Sequence, residues 1–160
     1  MVEEKVMVVG MDETHHSQYA FQWIIQHFFS NPDSSRAMKL VLIHAKPSPK
    51  SAFSLFGTGA SDVMPHVDPE LKKVAERVIE KAKEICKTNK IENVQFEVME
   101  GKASRVLCDA VERYKADILV VGSHGHGIMK RALLGSVTDY CSHHAQCCVM
   151  IVKDPHSHHC

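Results

Sequence analysis

Gly122, Gly125 and Gly135 are separated by two and by nine residues, Ser136 follows the last of them, and the set stands directly after the apolar run from Ile118 to Val121. Glycines just beyond a buried strand let backbone N–H groups converge on an anion, and a helix starting there adds its positive pole. The chemistry that suits this arrangement is the holding of phosphate oxygens. A turn-only reading explains glycines at a strand exit but leaves the second cluster, with its serine, unaccounted for. The spacing also excludes other phosphate loops. Lys130 has no Ser or Thr after it, and Gly125 and Gly127 are followed by Lys130 rather than by a third glycine.

Other side chains could take part. Asp12 follows the apolar stretch ending at Gly10-Met11, where a carboxylate could accept from two sugar hydroxyls or cap the next helix. His44 closes another apolar run, and a lone histidine there reads as a structural residue, since no carboxylate adjoins it in sequence. His124 and His126 lie inside the glycine loop, where protonation beside a phosphate would couple binding to pH; an exposed loop role stands equally. Lys130 and Arg131 either add charge to a pocket or face solvent. His143, His144 and the tail from His156 to Cys160 raise metal handling, but a terminal His/Cys tract without spaced ligand pairs is a weak signal.

The elements that must position these groups are readable in order. Lys5 to Gly10 and Met38 to Ala45 are nearly continuous apolar runs, as parallel strands covered on both faces require. Between them Tyr19, Trp23, Ile24 and Phe28 recur at helical spacing, with Thr14 or Asp12 as N-cap and Asn31-Pro32 as the stop; Asn31 to Ser35 reads as a loop. Lys46 to Pro69, broken by prolines and by Gly57 and Gly59, reads as a long loop. Its Phe53, Leu55 and Phe56 either cover a ligand or anchor the loop. Leu71, Val74, Val78, Ala82 and Ile85 define an amphipathic helix, and Val94 to Glu100 alternates like a strand at a sheet edge. Gly101 to Ser104 supplies a turn and an N-cap for a helix ending near Lys115. Ile118 to Val121 is the fourth strand, a helix runs from Val137 to about Ala145, and Cys147 to Val152 is the fifth strand. Strand and helix alternating with short connections predicts an α/β fold with a parallel sheet and helices on both faces.

The chain of 160 residues, 44% hydrophobic, suits one domain over 1–154 with a flexible tail over 155–160. Lys+Arg and Asp+Glu are 19 each, so no global field favours nucleic acid or an anionic membrane. No apolar run approaches the ~20 residues that span a bilayer, and Met1 to Lys5 lacks a signal-peptide core. A cytoplasmic protein is expected, with the nucleus also open to it. The six cysteines, placed in helical and strand patterns, are expected as reduced thiols.

The glycine spacing resembles the nucleotide motif of the universal stress protein family, and the resemblance runs from Val6 to Val152. It implies a Rossmann-like sheet of five strands in the order 3-2-1-4-5, of the adenine nucleotide alpha hydrolase type. It also implies a stress-response protein holding ATP or AMP. Gly10, Met11, Asp12 and Ala45 would meet adenine and ribose, while Gly122, Ser123, His124, Gly125, His126, Gly135, Ser136 and Val137 would meet the phosphates. The resemblance further implies a homodimer formed through the last strand, Cys147 to Val152, which suits a largely apolar sheet edge. Relatives usually carry proline where this chain has Cys148. Because phosphoryl transfer requires a placed nucleophile and usually a metal, a binding and regulatory role leads; a slow Mg-dependent ATPase, with Asp12 or His126 orienting water, is the enzymatic alternative.

Overall fold

A computed structural model describes residues 3–48, 64–123 and 135–155, with the backbone alone at 64–67. Its core is a sheet of five parallel strands, β1 (Lys5–Gly10), β2 (Met38–Lys46), β3 (Val94–Glu100), β4 (Ile118–Gly122) and β5 (Cys148–Val152), ordered β3-β2-β1-β4-β5. The described helices are α1 (His15–Phe28), α2 (Pro32–Arg36), α3 (Met64–Thr88), α4 (Ala103–Tyr114) and α5 (Ser136–His144). This is the expected architecture, with β3 at an edge.

The continuous apolar runs are explained by two helical layers. Met7, Val9, Leu40, Leu42 and Val120 point to one face, where Phe21 and Ile24 of α1 and Val78 and Ala82 of α3 cover them. Val8, Val41, Ile43, Leu119 and Val121 point to the other, against Val106, Leu107, Ala110 and Val111 of α4 and Cys141 of α5. Each strand residue therefore meets one layer or the other, and alternation of polarity disappears in β1, β2 and β4. In β3 no residue is fully buried: Gln95, Val98 and Glu100 are exposed and the others half-buried, so the expected strict alternation breaks at Phe96-Glu97, as an edge strand allows.

Local differences from the sequence reading have identifiable causes. Asn31 to Ser35 is not all loop: Asn31 Oδ1 accepts from Asp33 N at 3.0 Å and Pro32 occupies the first turn, which is enough to start the short α2. No residue of α2 is buried, so no apolar period announced it. Likewise the long loop ends earlier than Pro69, because α3 begins at Met64 and contains Pro69. Lys46 Nζ donates to Asp68 Oδ1 at 2.8 Å, and Lys72 lies 3.4 Å from the other carboxylate oxygen, tying this first part of the helix to the end of β2. The Lys46 ammonium holds the Asp68 carboxyl below its ordinary value, so the tie is present at neutral pH and is lost as pH falls through that lowered pKa. Phe53, Leu55 and Phe56 lie outside the described residues.

Ser104 is not the cap of α4. Lys102 takes that place without a side-chain bond, while Ser104 lies buried in the first turn. Lys115 ends α4 in the left-handed conformation, φ 50 and ψ 50, close to the expected boundary. Among the described residues no helix is long and apolar enough to cross a membrane. Cys86, Cys108, Cys141, Cys147 and Cys148 carry no disulfide.

Candidate functional site

The strand order reverses its direction of growth between β1 and β4, since β2 and β3 are added on one side of β1 and β4 and β5 on the other. The connections leaving the carboxyl ends of β1 and β4 diverge to opposite faces, which opens a crevice there. In this structure the crevice is a hollow of about 160 Å³, well beyond the roughly 10–15 Å³ a single water needs. Gly10, Met11 and Asp12 line it from β1, Ala45 from β2, Gly122 from β4, and Gly135, Ser136 and Val137 from the start of α5. Eight of the predicted positions thus converge from four separate segments of chain.

Asp12 is held in place by its own turn. Its N–H donates to Ser17 Oγ at 3.0 Å, and the Ser17 hydroxyl donates to the Asp12 carbonyl at 2.9 Å. The Thr14 N–H donates to Asp12 Oδ1 at 2.8 Å, and the Thr14 hydroxyl donates to the same oxygen. Thr14, not Asp12, is the N-cap of α1, accepting from Ser17 N at 3.3 Å. Among the described residues the bonds to the carboxylate fall on Oδ1, which orients the group.

His44 supports the same turn from beneath. Its ring is buried, and Nδ1 lies 2.9 Å from the Met11 carbonyl, which can only accept, so Nδ1 carries the proton. The Met11 N–H in turn donates to the Ile43 carbonyl at 2.8 Å. His44 is therefore a positioning residue for the β1 exit. Replacing it in His44→Leu should cost about 1–2 kcal/mol, because the Met11 carbonyl loses its buried donor. Chemical denaturation of the ligand-free protein measures this; a midpoint equal to the parent's would contradict the role.

At the opposite end, α5 starts at the rim of the hollow. Gly135 is its N-cap and contributes no side chain, so among the described residues no side chain caps the helix, whose first residues line the hollow. The Gly135 N–H donates to the Ser123 carbonyl at 3.1 Å, and the Ser123 N–H to the Val152 carbonyl at 3.0 Å. Ser123 is buried and absent from the lining; it braces the loop's two ends against β5. His124, Gly125 and His126, together with Lys130 and Arg131, lie outside the described residues.

Residues that sequence reasoning missed complete the walls. Ile43 and Val121 sit beside predicted positions on β2 and β4, Ala103 and Leu107 come from α4, and Ser17 and Thr138 are the polar additions. Both fall in the first turn of a helix, Thr138 directly after the predicted Val137 and Ser17 five residues past Asp12, and no pattern in the sequence marked either for the hollow. The lining therefore divides into apolar residues, Ala45, Leu107, Val121 and Val137 among them, and two polar parts, the Asp12 turn and the helix start at Ser136. A flat, weakly polar ring joined to hydroxyls and an anion matches that division.

Such a doubly wound sheet with a hollow at its switch point defines a class of small-molecule-binding α/β domains. Within that class the chain belongs to the universal stress protein family, whose family model matches residues 4–153. Among curated relatives, universal stress protein PHOS32 of Arabidopsis thaliana is 28% identical, covering 92% of this chain and 64% of its own length. Universal stress protein Slr1101 of Synechocystis is 39% identical over 38% of this chain and 56% of its own. The chain thus spans less than two thirds of the length of these relatives. Among solved structures, universal stress protein UspA from Lactobacillus plantarum superposes with a TM-score of 0.74 at 17% identity, covering 95% of this chain and 99% of that one. An Arabidopsis thaliana family member with AMP bound gives 0.64 at 21% identity, over 93% and 91% of the two chains. A universal stress protein in complex with cAMP gives 0.65 at 22% identity, over 92% and 96%. At these identities the structural likeness establishes the fold.

Proposed function

We propose that this chain is an adenine-nucleotide-binding regulatory protein of stress adaptation, taking ATP or AMP and working as a homodimer. The observation that carries the reading is the meeting, in one hollow, of the Asp12 carboxylate from β1 and the uncapped start of α5. Adenine would lie against Ala45 and the β1 exit, ribose hydroxyls would donate to Asp12, and phosphates would face the Ser136 and Val137 amides. The AMP and cAMP held by the two family members above support the ligand class. Regulation would follow from the ligand bridging elements on both faces of the sheet, since binding at that junction favours whichever arrangement fits it.

The dimer reading rests on β5. It ends the sheet, and its Val149, Met150 and Ile151 are only partly buried, so a second copy laid along it would cover an apolar edge. The cytoplasm or nucleus is the proposed place of action.

Asp12→Ala tests the ligand reading. Removing an ionised acceptor for ribose hydroxyls should weaken AMP by about 1.5 kcal/mol, roughly tenfold in Kd. Titration calorimetry with AMP on both proteins measures it. Equal affinity, in a variant that remains folded, would remove Asp12 from the site.

A further inference from the structure

Behind the phosphate end of the hollow lies a cluster of thiols that the nucleotide reading does not use. Cys108 of α4 and Cys141 of α5 bring their sulfurs to 4.0 Å. Cys147, just before β5, packs into the same layer of the core. Cys141 is fully buried, whereas Cys108 is partly exposed. The pair is placed where it matters: Cys108 follows Leu107, and Cys141 is one helical turn beyond Val137, and both Leu107 and Val137 line the hollow.

We propose that Cys108 and Cys141 form a reversible disulfide under hydroperoxide stress, and that this bond draws α4 and α5 together and narrows the ligand hollow. The Cys108 sulfur attacks a hydroperoxide, the O–O bond breaks, and Cys108 becomes a sulfenic acid as water or an alcohol leaves. The Cys141 sulfur then attacks the Cys108 sulfur; the S–O bond breaks, and the departing oxygen leaves as water with the Cys141 proton. Both thiols are oxidised and the peroxide is reduced, so the step balances.

Geometry sets the consequence. Closing 4.0 Å to the roughly 2.05 Å of a disulfide brings the sulfurs about 2 Å nearer, and the part that side-chain rotation does not supply falls on the spacing of α4 and α5. Both helices are packed on the same sheet face, where displacement is transmitted rather than absorbed. Burial pushes the Cys141 thiol up to about 12 and raises that of Cys108, so Cys108, the sulfur with solvent access, is oxidised first and the reaction is slow. The effect on affinity rests on the nucleotide reading above; formation of the bond does not.

The test treats the full chain with hydrogen peroxide, maps its peptides without reduction, and titrates AMP into the oxidised and reduced forms. The expected map links the Cys108 and Cys141 peptides, with the loss of a hydrogen from each sulfur and recovery by dithiothreitol. The link should be absent in Cys108→Ser and retained in Cys147→Ser. Oxidation should weaken AMP about fivefold or more in the parent and leave Cys108→Ser unchanged. A map showing Cys108 over-oxidised beside a reduced Cys141, or linked instead to Cys147, would overturn the proposal. A correct link with unaltered affinity would overturn the narrowing. If the reduced protein binds no AMP, the nucleotide reading fails separately, and the peptide map still decides the bond.

Discussion

AMP or ATP at a hundred times its Kd should add about 2.7 kcal/mol of stability, which raises the melting temperature of a domain this size by roughly 5–11 °C. Gly135→Glu should abolish that rise while leaving the ligand-free protein folded. The substitution is chosen for what it spares. Gly135 has φ −68 and ψ 162, a conformation open to any residue, and its hydrogen bonds to the Ser123 carbonyl, Asp139 N and the Thr138 hydroxyl all use backbone atoms. A carboxylate at the start of α5 is also favoured by the helix pole, so the apo protein has no reason to lose stability. It would stand where a phosphate must sit, repelling the anion and filling its space. Differential scanning fluorimetry of both proteins, with and without nucleotide, gives the answer; a retained shift in the glutamate variant would place the ligand elsewhere.

Gly122→Ala should lower the stability of the ligand-free protein by on the order of 3 kcal/mol, at the upper end of the usual overpacking cost. A Cβ at this position would stand 2.7 Å from the His16 carbonyl oxygen and 2.9 Å from its carbon. These are backbone atoms of the first turn of α1, so no side-chain rotation relieves the clash. The helix must move, and with it Phe21 and Ile24, which are fully buried against the sheet. Ser17, whose hydroxyl holds the Asp12 turn, would move as well. The melting temperature should fall by roughly 6–12 °C, and AMP should bind more weakly than to the parent. Calorimetric unfolding is the measurement. An alanine variant that melts with the parent would show that α1 does not fix this approach.

Gly122 also shows how far a sequence can be read. Its spacing to Gly125 and Gly135 marked it as a residue of a phosphate loop, and it does line the hollow. Its second task, admitting the backbone of α1, depends on a helix more than a hundred residues earlier in the chain and leaves no local pattern. The strands that carry the site were legible because β1, β2 and β4 are buried on both faces and so read as unbroken apolar runs. The short α2 and the start of α3 were not, because side-chain caps and ion pairs such as Asn31 to Asp33 and Lys46 to Asp68 define them rather than apolar period. Ser104 illustrates the reverse error: a serine after a glycine turn suits an N-cap, yet it lies two residues inside the cap, buried in the first turn of α4. Ser17 and Thr138 reach the hollow only because two helix starts face each other across the switch point, which is a property of the topology.

The central claim is that one adenine nucleotide bridges the β1 exit and the start of α5. Its most direct test is a titration of AMP and ATP followed by the backbone amide signals of the isotopically labelled chain. The largest shifts should fall at Met11, Asp12, Ala45, Ser136 and Val137, with the ATP and AMP patterns diverging at Ser136 and Val137. Shifts confined to other surfaces, or an unaltered spectrum at millimolar nucleotide, would contradict it.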